Sequence, residues 1–194
     1  TASDRITGGP PLGPGVAGLI SRLNGIYQRI LNQAGVTIFE GHGQVLGGGK
    51  VSVGETVLTA RHILVAVGGK PFVPDLPGRE HVRISDDLFY LDTLPKRVAV
   101  VGGGYIATEF AGILHGLGCQ VTQVYRGDLF LRGFDQDIRE FIAEQMKEQG
   151  VTLKFNADVA SVEAINGEKH VNYQGGEQAV FDEVFYATGR IPKL

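Results

Sequence analysis

One stretch limits what this chain can fold into more than any other. In Val100-Val-Gly-Gly-Gly-Tyr-Ile-Ala-Thr-Glu109 a β-branched run meets three glycines and then turns into helix-forming residues. Positions 98–101 are all apolar, as a strand buried on both faces of a parallel sheet must be, and Pro95 stands just before it, where a chain enters a sheet. Gly102, Gly104 and Ala107 fit the spacing G-x-G-x-x-A. The first glycine permits a tight turn, the second lets a pyrophosphate approach the backbone, and the small third residue lets helix close on strand. Free N–H groups at such a helix start face phosphates. An ordinary glycine turn gives the same letters, but here the strand before and the helix after are both legible. The reading is strand, turn and helix, with a dinucleotide over the turn.

Downstream the pattern stays βαβα. Helical spacing over 105–117 is stopped by Gly118, a strand follows at 120–125, a second helix at 135–149 is stopped by Gly150, and another strand covers 152–155. Right-handed crossovers make this a parallel sheet. Runs at 159–165, 170–174 and 178–181, with Asn166-Gly167 and Gly175-Gly176 between them, predict a β-meander on one side of that sheet, and 183–187 supplies a last strand.

Upstream the pattern is different. Residues 1–18 are rich in Gly and Pro and read as a flexible or extended lead-in. Leu19, Ile20, Leu23, Ile26, Tyr27, Ile30 and Leu31 recur at helical spacing, so 19–32 is expected to be an amphipathic helix with Gly35 as its stop. Five β-type runs follow at 36–39, 44–46, 51–53, 56–58 and 63–67, which predicts a small antiparallel layer ending in a buried strand. The proline-punctuated segment 70–80 reads as an extended linker, and 85–89 as a short capped turn of helix. A domain boundary is expected within 69–94. Residues 66–71 and 187–192 look alike, each a strand-to-loop exit.

At 194 residues there is room for one complete domain and part of another. A net charge of −3 leaves no electrostatic footprint for nucleic acid, and no apolar run reaches the roughly twenty residues a membrane span needs. Neither partner is expected. Cys119 is the one cysteine, which excludes an internal disulfide and any multi-cysteine metal site, so no metal is expected, and the residue reads as a small buried hydrophobe. The five histidines form no constellation with a nucleophile or a carboxylate. The chain opens on Thr1 with no charged-then-apolar leader, so no targeting signal is read from it.

The second strand bears on which dinucleotide is bound. A free ribose 2′-hydroxyl is usually met by Asp or Glu at the end of that strand, about 20 residues past the glycines. Here the strand ends on Val124, Tyr125 and Arg126, and Arg132 follows across a short loop. A 2′-phosphate is nearly a dianion and suits guanidinium forks, so the pair points to NADPH. The bland alternative is two solvated arginines with Asp128 as their partner.

These residues, taken with Leu131-Arg-Gly-Phe-Asp135 and Ala187-Thr-Gly-Arg190, resemble the NADPH domain of the flavin-dependent pyridine nucleotide-disulfide oxidoreductases, the glutathione reductase branch above all. The earlier half is similar to the trailing part of that family's FAD domain, at Arg22-Leu-Asn-Gly-Ile-Tyr-Gln28, Gly41-His-Gly43, His62-Ile-Leu-Val-Ala-Val-Gly-Gly69 and Ile84-Ser-Asp86. The implied fold is α/β, a Rossmann-like NAD(P)-binding domain over 93–194, preceded by a partial FAD-binding domain over 19–92. The resemblance implies that Gly102 and Gly104 cradle the pyrophosphate, with Gly103 and Ile106 beside the cofactor and Arg126 and Arg132 on the 2′-phosphate. Tyr105 would be a mobile lid over the nicotinamide, and Glu109 would pair with a lysine of the FAD domain. Gly189 and Arg190 would approach the cofactor at the domain's exit. Gly43 and Gly68 would offer backbone to FAD, and Tyr27 would lie in the glutathione disulfide pocket.

In that family NADPH reduces FAD, the flavin reduces a cysteine pair, and a thiolate attacks the disulfide. Members are homodimers of the cytoplasm or plastid. The family's N-terminal glycine motif, its C-x-x-x-x-C and its interface domain with a His–Glu pair are not among these residues. The expectation is therefore NADPH binding without disulfide reduction by these residues alone, and no catalytic residue is assigned. A trypanothione reductase-like member shares most of the same residues. A non-catalytic NADPH-binding or interaction module, or an unrelated NADPH dehydrogenase, stays open on the residues alone. With so little of the FAD domain present, an apolar face is expected to lie exposed within 19–67.

Overall fold

A computed structural model describes residues 12–193, which divide into two compact units whose main spans are Gly18–Gly68 and Gly69–Pro192. Helix α1 runs from Leu12 to Gln33. It begins inside the stretch expected to be extended, because Pro14 falls in the first turn, where a missing N–H forfeits no helical bond. Residues 1–11 of that lead-in lie outside the described residues. At the other end Gly35 takes a φ of 73° and the Val36 N–H closes back on the Leu31 carbonyl at 3.0 Å, a left-handed stop.

The rest of the first unit is a three-stranded antiparallel sheet of β1 (Gly43–Gly47), β2 (Lys50–Val53) and β3 (Thr56–Thr59) in that order. Two expected strands are not there. Residues 36–39 and 63–67 are irregular and pair with nothing among the described residues, and Leu64 is 90% exposed where a buried strand was expected. A β-branched run is a strand only when neighbours complete its ladder. No described residue of 18–68 is buried.

In the second unit Lys70 and its neighbours form β4 (Gly69–Pro71), and a 3-10 turn at Arg79–His81 precedes β5 (Arg83–Ile84). The expected linker is thus a packed segment, with the Pro77 carbonyl accepting the Val162 N–H at 3.0 Å. The 3-10 turn at Ser85–Tyr90 is capped by Asp87, whose carboxylate accepts the Ile84 N–H at 2.8 Å. Then come β6 (Arg97–Val101), α2 (Tyr105–Gly116), β7 (Gln120–Val124), α3 (Gln136–Glu148) and β8 (Thr152–Lys154). The antiparallel meander is β9 (Val159–Ile165), β10 (Glu168–Tyr173) and β11 (Gln178–Phe181), followed by β12 (Glu183–Tyr186) and β13 (Arg190–Pro192).

Strands β5, β12, β6, β7 and β8 form one parallel sheet in that order. Its period of two separates the core into two sides. Val98, Val100 and Phe185 pack with Ala107, Phe110, Ala111 and Leu114 of α2, whereas Ala99, Val101, Val184 and Tyr186 pack with Val162, Val171 and Tyr173 of the meander. Cys119 is buried on the α2 side, as a small hydrophobe would be, and burial pushes its thiol up. The two look-alike exits pair with each other, β13 antiparallel to β4 with Ile191 opposite Lys70.

Candidate functional site: a glycine turn at the carboxyl edge of the sheet

The site forms where β6 gives way to α2. Gly102 sits at a φ of 149°, and a Cβ there would press on the Ala187 carbonyl and come within 3.1 Å of the Ala107 methyl. At Gly103 a Cβ would strike the Tyr125 ring. Gly104 is different: its φ of −89° is open to any residue, and a Cβ would meet nothing within 4 Å. Neither backbone nor packing calls for a glycine there, so the empty space in front of it is what a side chain would fill and a ligand can use.

Every carbonyl of the turn is tied back into the protein. Gly102 O accepts from Gln123 Nε2 at 3.1 Å, Gly103 O from the Leu131 N–H at 2.6 Å, and Gly104 O from the Thr108 N–H at 3.1 Å and its hydroxyl at 3.2 Å. A trans peptide points its N–H opposite its C=O. Among the described residues the N–H groups of Gly103, Gly104, Tyr105 and Ile106 have no acceptor, and the first turn of α2 carries no acidic residue to compensate its positive end. Four free donors at the head of a twelve-residue helix make an anion site.

The turn opens into a cavity of about 1120 Å³. Of the residues singled out from sequence, Gly102, Gly103, Gly104, Tyr105, Ile106, Arg126, Arg132, Gly189 and Arg190 line it together. Tyr105 is 58% exposed at the first position of α2. Arg126 and Arg132 make no ion pair within 4 Å among the described residues, and Asp128, exposed and lining the same cavity, accepts the Leu129 N–H at 2.9 Å. The alternative of Asp128 as their partner is therefore not realised. Arg190 is engaged, donating to the Gly69 carbonyl and lying 3.6 Å from Asp86. Glu109 is exposed one turn along α2 and does not line the cavity. Gly43, Gly68 and Tyr27 belong to the first unit, where all three are exposed and Tyr27 is 61% so. No histidine lines the cavity, and no cluster of three metal-ligating side chains occurs among the described residues.

Supporting residues surround the site, and of these only Leu131 falls within a quoted motif. Phe130 and Leu131 are buried and anchor the loop that ends on Arg132, with Leu131 itself at a φ of 57°. Arg139 of α3 holds that loop from below, donating to the Phe130 carbonyl at 2.8 Å and the Leu129 carbonyl at 2.7 Å. Gln123 is fully buried in β7, an amide in a strand otherwise suited to valine. Its only sequence signal is that polarity. Tyr186, buried on the opposite side of the sheet, lines the cavity as a neutral phenol, pushed up by burial and then by the charge of Asp158 and the neighbouring Tyr173.

No described helix is long and apolar enough to cross a membrane. Over 173 residues the chain is 43% identical to a glutathione reductase from Burkholderia cepacia, covering 89% of this chain and 38% of that protein. It is 42% identical over 174 residues to the chloroplastic/mitochondrial glutathione reductase of Pisum sativum, covering 89% of this chain and 32% of that one. Among solved structures, the HOCl-induced flavoprotein disulfide reductase RclA from Escherichia coli superposes with a TM-score of 0.81 at 26% identity, over 93% of this chain and 43% of that one. The chain thus spans about two fifths or less of the length of these relatives. The parallel sheet with its meander and the glycine turn at the head of α2 agree with these likenesses, and residues 2–194 match the pyridine nucleotide-disulphide oxidoreductase profile as a whole, so the chain belongs to that family.

Proposed function

We propose that residues 93–194 bind NADPH, as the nucleotide-binding portion of a glutathione reductase-like flavoenzyme. One observation carries the reading: the free N–H groups of Gly103, Gly104, Tyr105 and Ile106 and two unpaired guanidiniums line the same cavity. The amides suit a pyrophosphate, because their carbonyls are already satisfied elsewhere and need no rearrangement on binding. Arg126 and Arg132 supply fixed positive charge at the end of β7, where a nucleotide with a free 2′-hydroxyl would need a carboxylate. Tyr105, exposed at the head of α2 and lining the cavity, would shield the nicotinamide end from water. NADPH bound there supplies a hydride, and the chain's own residues supply binding, orientation and charge.

On this reading residues 19–92 are the trailing part of an FAD-binding domain. Gly68, at a φ of 69°, has nothing within 4 Å of a Cβ and would offer that cofactor the backbone beside its carbonyl, which accepts the Lys193 N–H at 3.1 Å, and Gly43 lies on an exposed strand. Tyr27 is assigned to the glutathione disulfide pocket of the whole enzyme. With Cys119 buried and alone in the sequence, the redox-active cysteine pair has to come from outside these 194 residues.

The test is a titration of the chain with NADPH and with NADH. NADPH is expected to bind at least about tenfold more tightly, since a hydrogen bond to a charged group is worth about 1.5–3 kcal/mol. Arg126→Ala with Arg132→Ala should bring NADPH down to the NADH level. Equal affinity for both nucleotides in the parent chain overturns the arginine assignment, and turnover of glutathione disulfide by the chain alone overturns the division of labour.

A further inference from the structure

Resting on the reading of the glycine turn as a phosphate cradle, we infer that Gln123 is a positioning residue which, through Thr108, sets the orientation of the turn's peptides. Gln123 is 0% exposed, in β7 of the parallel sheet. It lies two residues from Val121, which packs on the α2 side, so its amide reaches the underside of the helix start. Both donors of its Nε2 are used, to Gly102 O at 3.1 Å and to Thr108 Oγ1 at 3.3 Å. The Thr108 hydroxyl passes its own proton on to Gly104 O at 3.2 Å. A backbone carbonyl only accepts, so the amide nitrogen has to face Gly102 and the direction of the relay is fixed.

The relay therefore holds the carbonyls of the first and third glycines from one buried amide, and the N–H groups across those peptides, on Gly103 and Tyr105, are turned outward. Stability does not account for a glutamine here. Its Oε1 is buried with no hydrogen-bond donor, a state that an aliphatic side chain of similar size avoids altogether. What the amide supplies that methionine or leucine cannot is directional hold on a turn whose amides are the site.

Gln123→Met keeps length and removes both donors, and Thr108→Val removes the hydroxyl at constant shape. The first readout is amide hydrogen exchange in the nucleotide-free chain, which does not depend on what the site binds. The Thr108 and Leu131 N–H groups, which bond to Gly104 O and Gly103 O, are expected to exchange about fivefold faster in Gln123→Met, while amides of β6 away from the turn keep the parent rate. The second is nucleotide affinity, expected to fall about fivefold for NADPH and NADH alike, because the pyrophosphate is common to both and the arginines are untouched. In the double variant the losses should fall short of additive, as members of one relay do.

Exchange at Thr108 and Leu131 that matches the parent in a folded Gln123→Met overturns the inference. So does a loss confined to NADPH. If Gln123→Met does not fold, Thr108→Val decides alone: faster exchange at Leu131 supports the relay and an unchanged rate rejects it. A parent chain that binds neither nucleotide overturns the proposed function while leaving the exchange test of Gln123 standing.

Discussion

The two compact units carry the same kinds of sequence pattern and reach opposite states of burial. In Gly69–Pro192, alternation along β6 and β12 and the apolar stripe of α2 meet partners on both sides, and the sheet is enclosed between α2 and the meander. In Gly18–Gly68 the stripe of α1 stays open, with Leu19, Leu23, Tyr27, Ile30 and Leu31 all exposed, and the β-branched run at 63–67 lies unpaired. Burial stabilises by about 25 cal/mol per Å² of apolar surface, and that term is almost missing from the first unit. A lone helix and a three-stranded hairpin sheet are marginal without it. Periodicity therefore says which face seeks a partner, and only the rest of the fold says whether it has one.

Glycine substitution gives the sharpest contrast. Gly102→Ala forces a side chain into left-handed backbone and against the Ala187 carbonyl, which belongs to a strand exit and cannot swing aside. The expected cost is on the order of 4 kcal/mol, or loss of the fold. Gly54→Ala, in the β2–β3 turn at a φ of 57°, meets nothing within 4 Å and should cost about 1 kcal/mol of hairpin stability. Thermal melts followed by near-ultraviolet circular dichroism read the second unit, which holds five of the six tyrosines, and amide hydrogen exchange along the β2–β3 ladder reads the first. Comparable losses from the two substitutions would break the contrast.

A leucine pair probes the same difference through packing. Leu114 is 0% exposed on the buried face of α2, and Leu114→Ala is expected to cost about 2–5 kcal/mol through lost burial and the cavity left behind. Leu64→Ala should fall within about 0.5 kcal/mol of the parent. Denaturant melts check both. A cost for Leu64→Ala near that of Leu114→Ala would mean that 63–67 is covered in solution.

The same distinction decides how much could be read beforehand. Strands β6, β7, β8 and β12, helices α2 and α3 and the meander are legible because the residues that complete each pattern lie within the same unit, whereas the two-residue β5 carries no pattern of its own. Composition makes strands of residues 36–39 and 63–67, and composition is silent about neighbours. Helix α1 begins seven residues before the expected start because Gly and Pro mask a first turn that needs no N–H. At the site, the glycines and the two arginines were marked by their spacing. Gln123 and Arg139 were not, since each acts on the turn or its loop from a different element and no local pattern records such a contact. Arg190 was marked, but its engagement with Gly69 and Asp86 depends on the pairing of β13 with β4.

A modest effect is expected at a tie within the second unit. Asp182 joins the foot of β6 to the turn before β12, accepting the Lys96 N–H at 3.0 Å, the Arg97 N–H at 2.8 Å and the Arg97 guanidinium at 2.6 Å. Burial alone would raise its carboxyl, but the hydrogen bonds and charge of Arg97, with the Lys96 N–H, outweigh it and leave the carboxyl below its ordinary value. A carboxyl held lower in the folded chain stabilises it above the unfolded pKa, about 3.9, and that contribution is lost as the pH falls through the folded value. Asp182→Asn is expected to cost about 1 kcal/mol at neutral pH, a modest figure because the ion pair is partly exposed and screened. The gap between parent and variant should then close as the pH drops from about 4 towards 2, because the protonated acid and the amide have similar hydrogen-bonding capacity. Urea melts of both proteins across that range provide the check. A gap that stays constant with pH would mean that Asp182 acts through shape alone, and the tie would then be no stronger in kind than the turns that hold the first unit together.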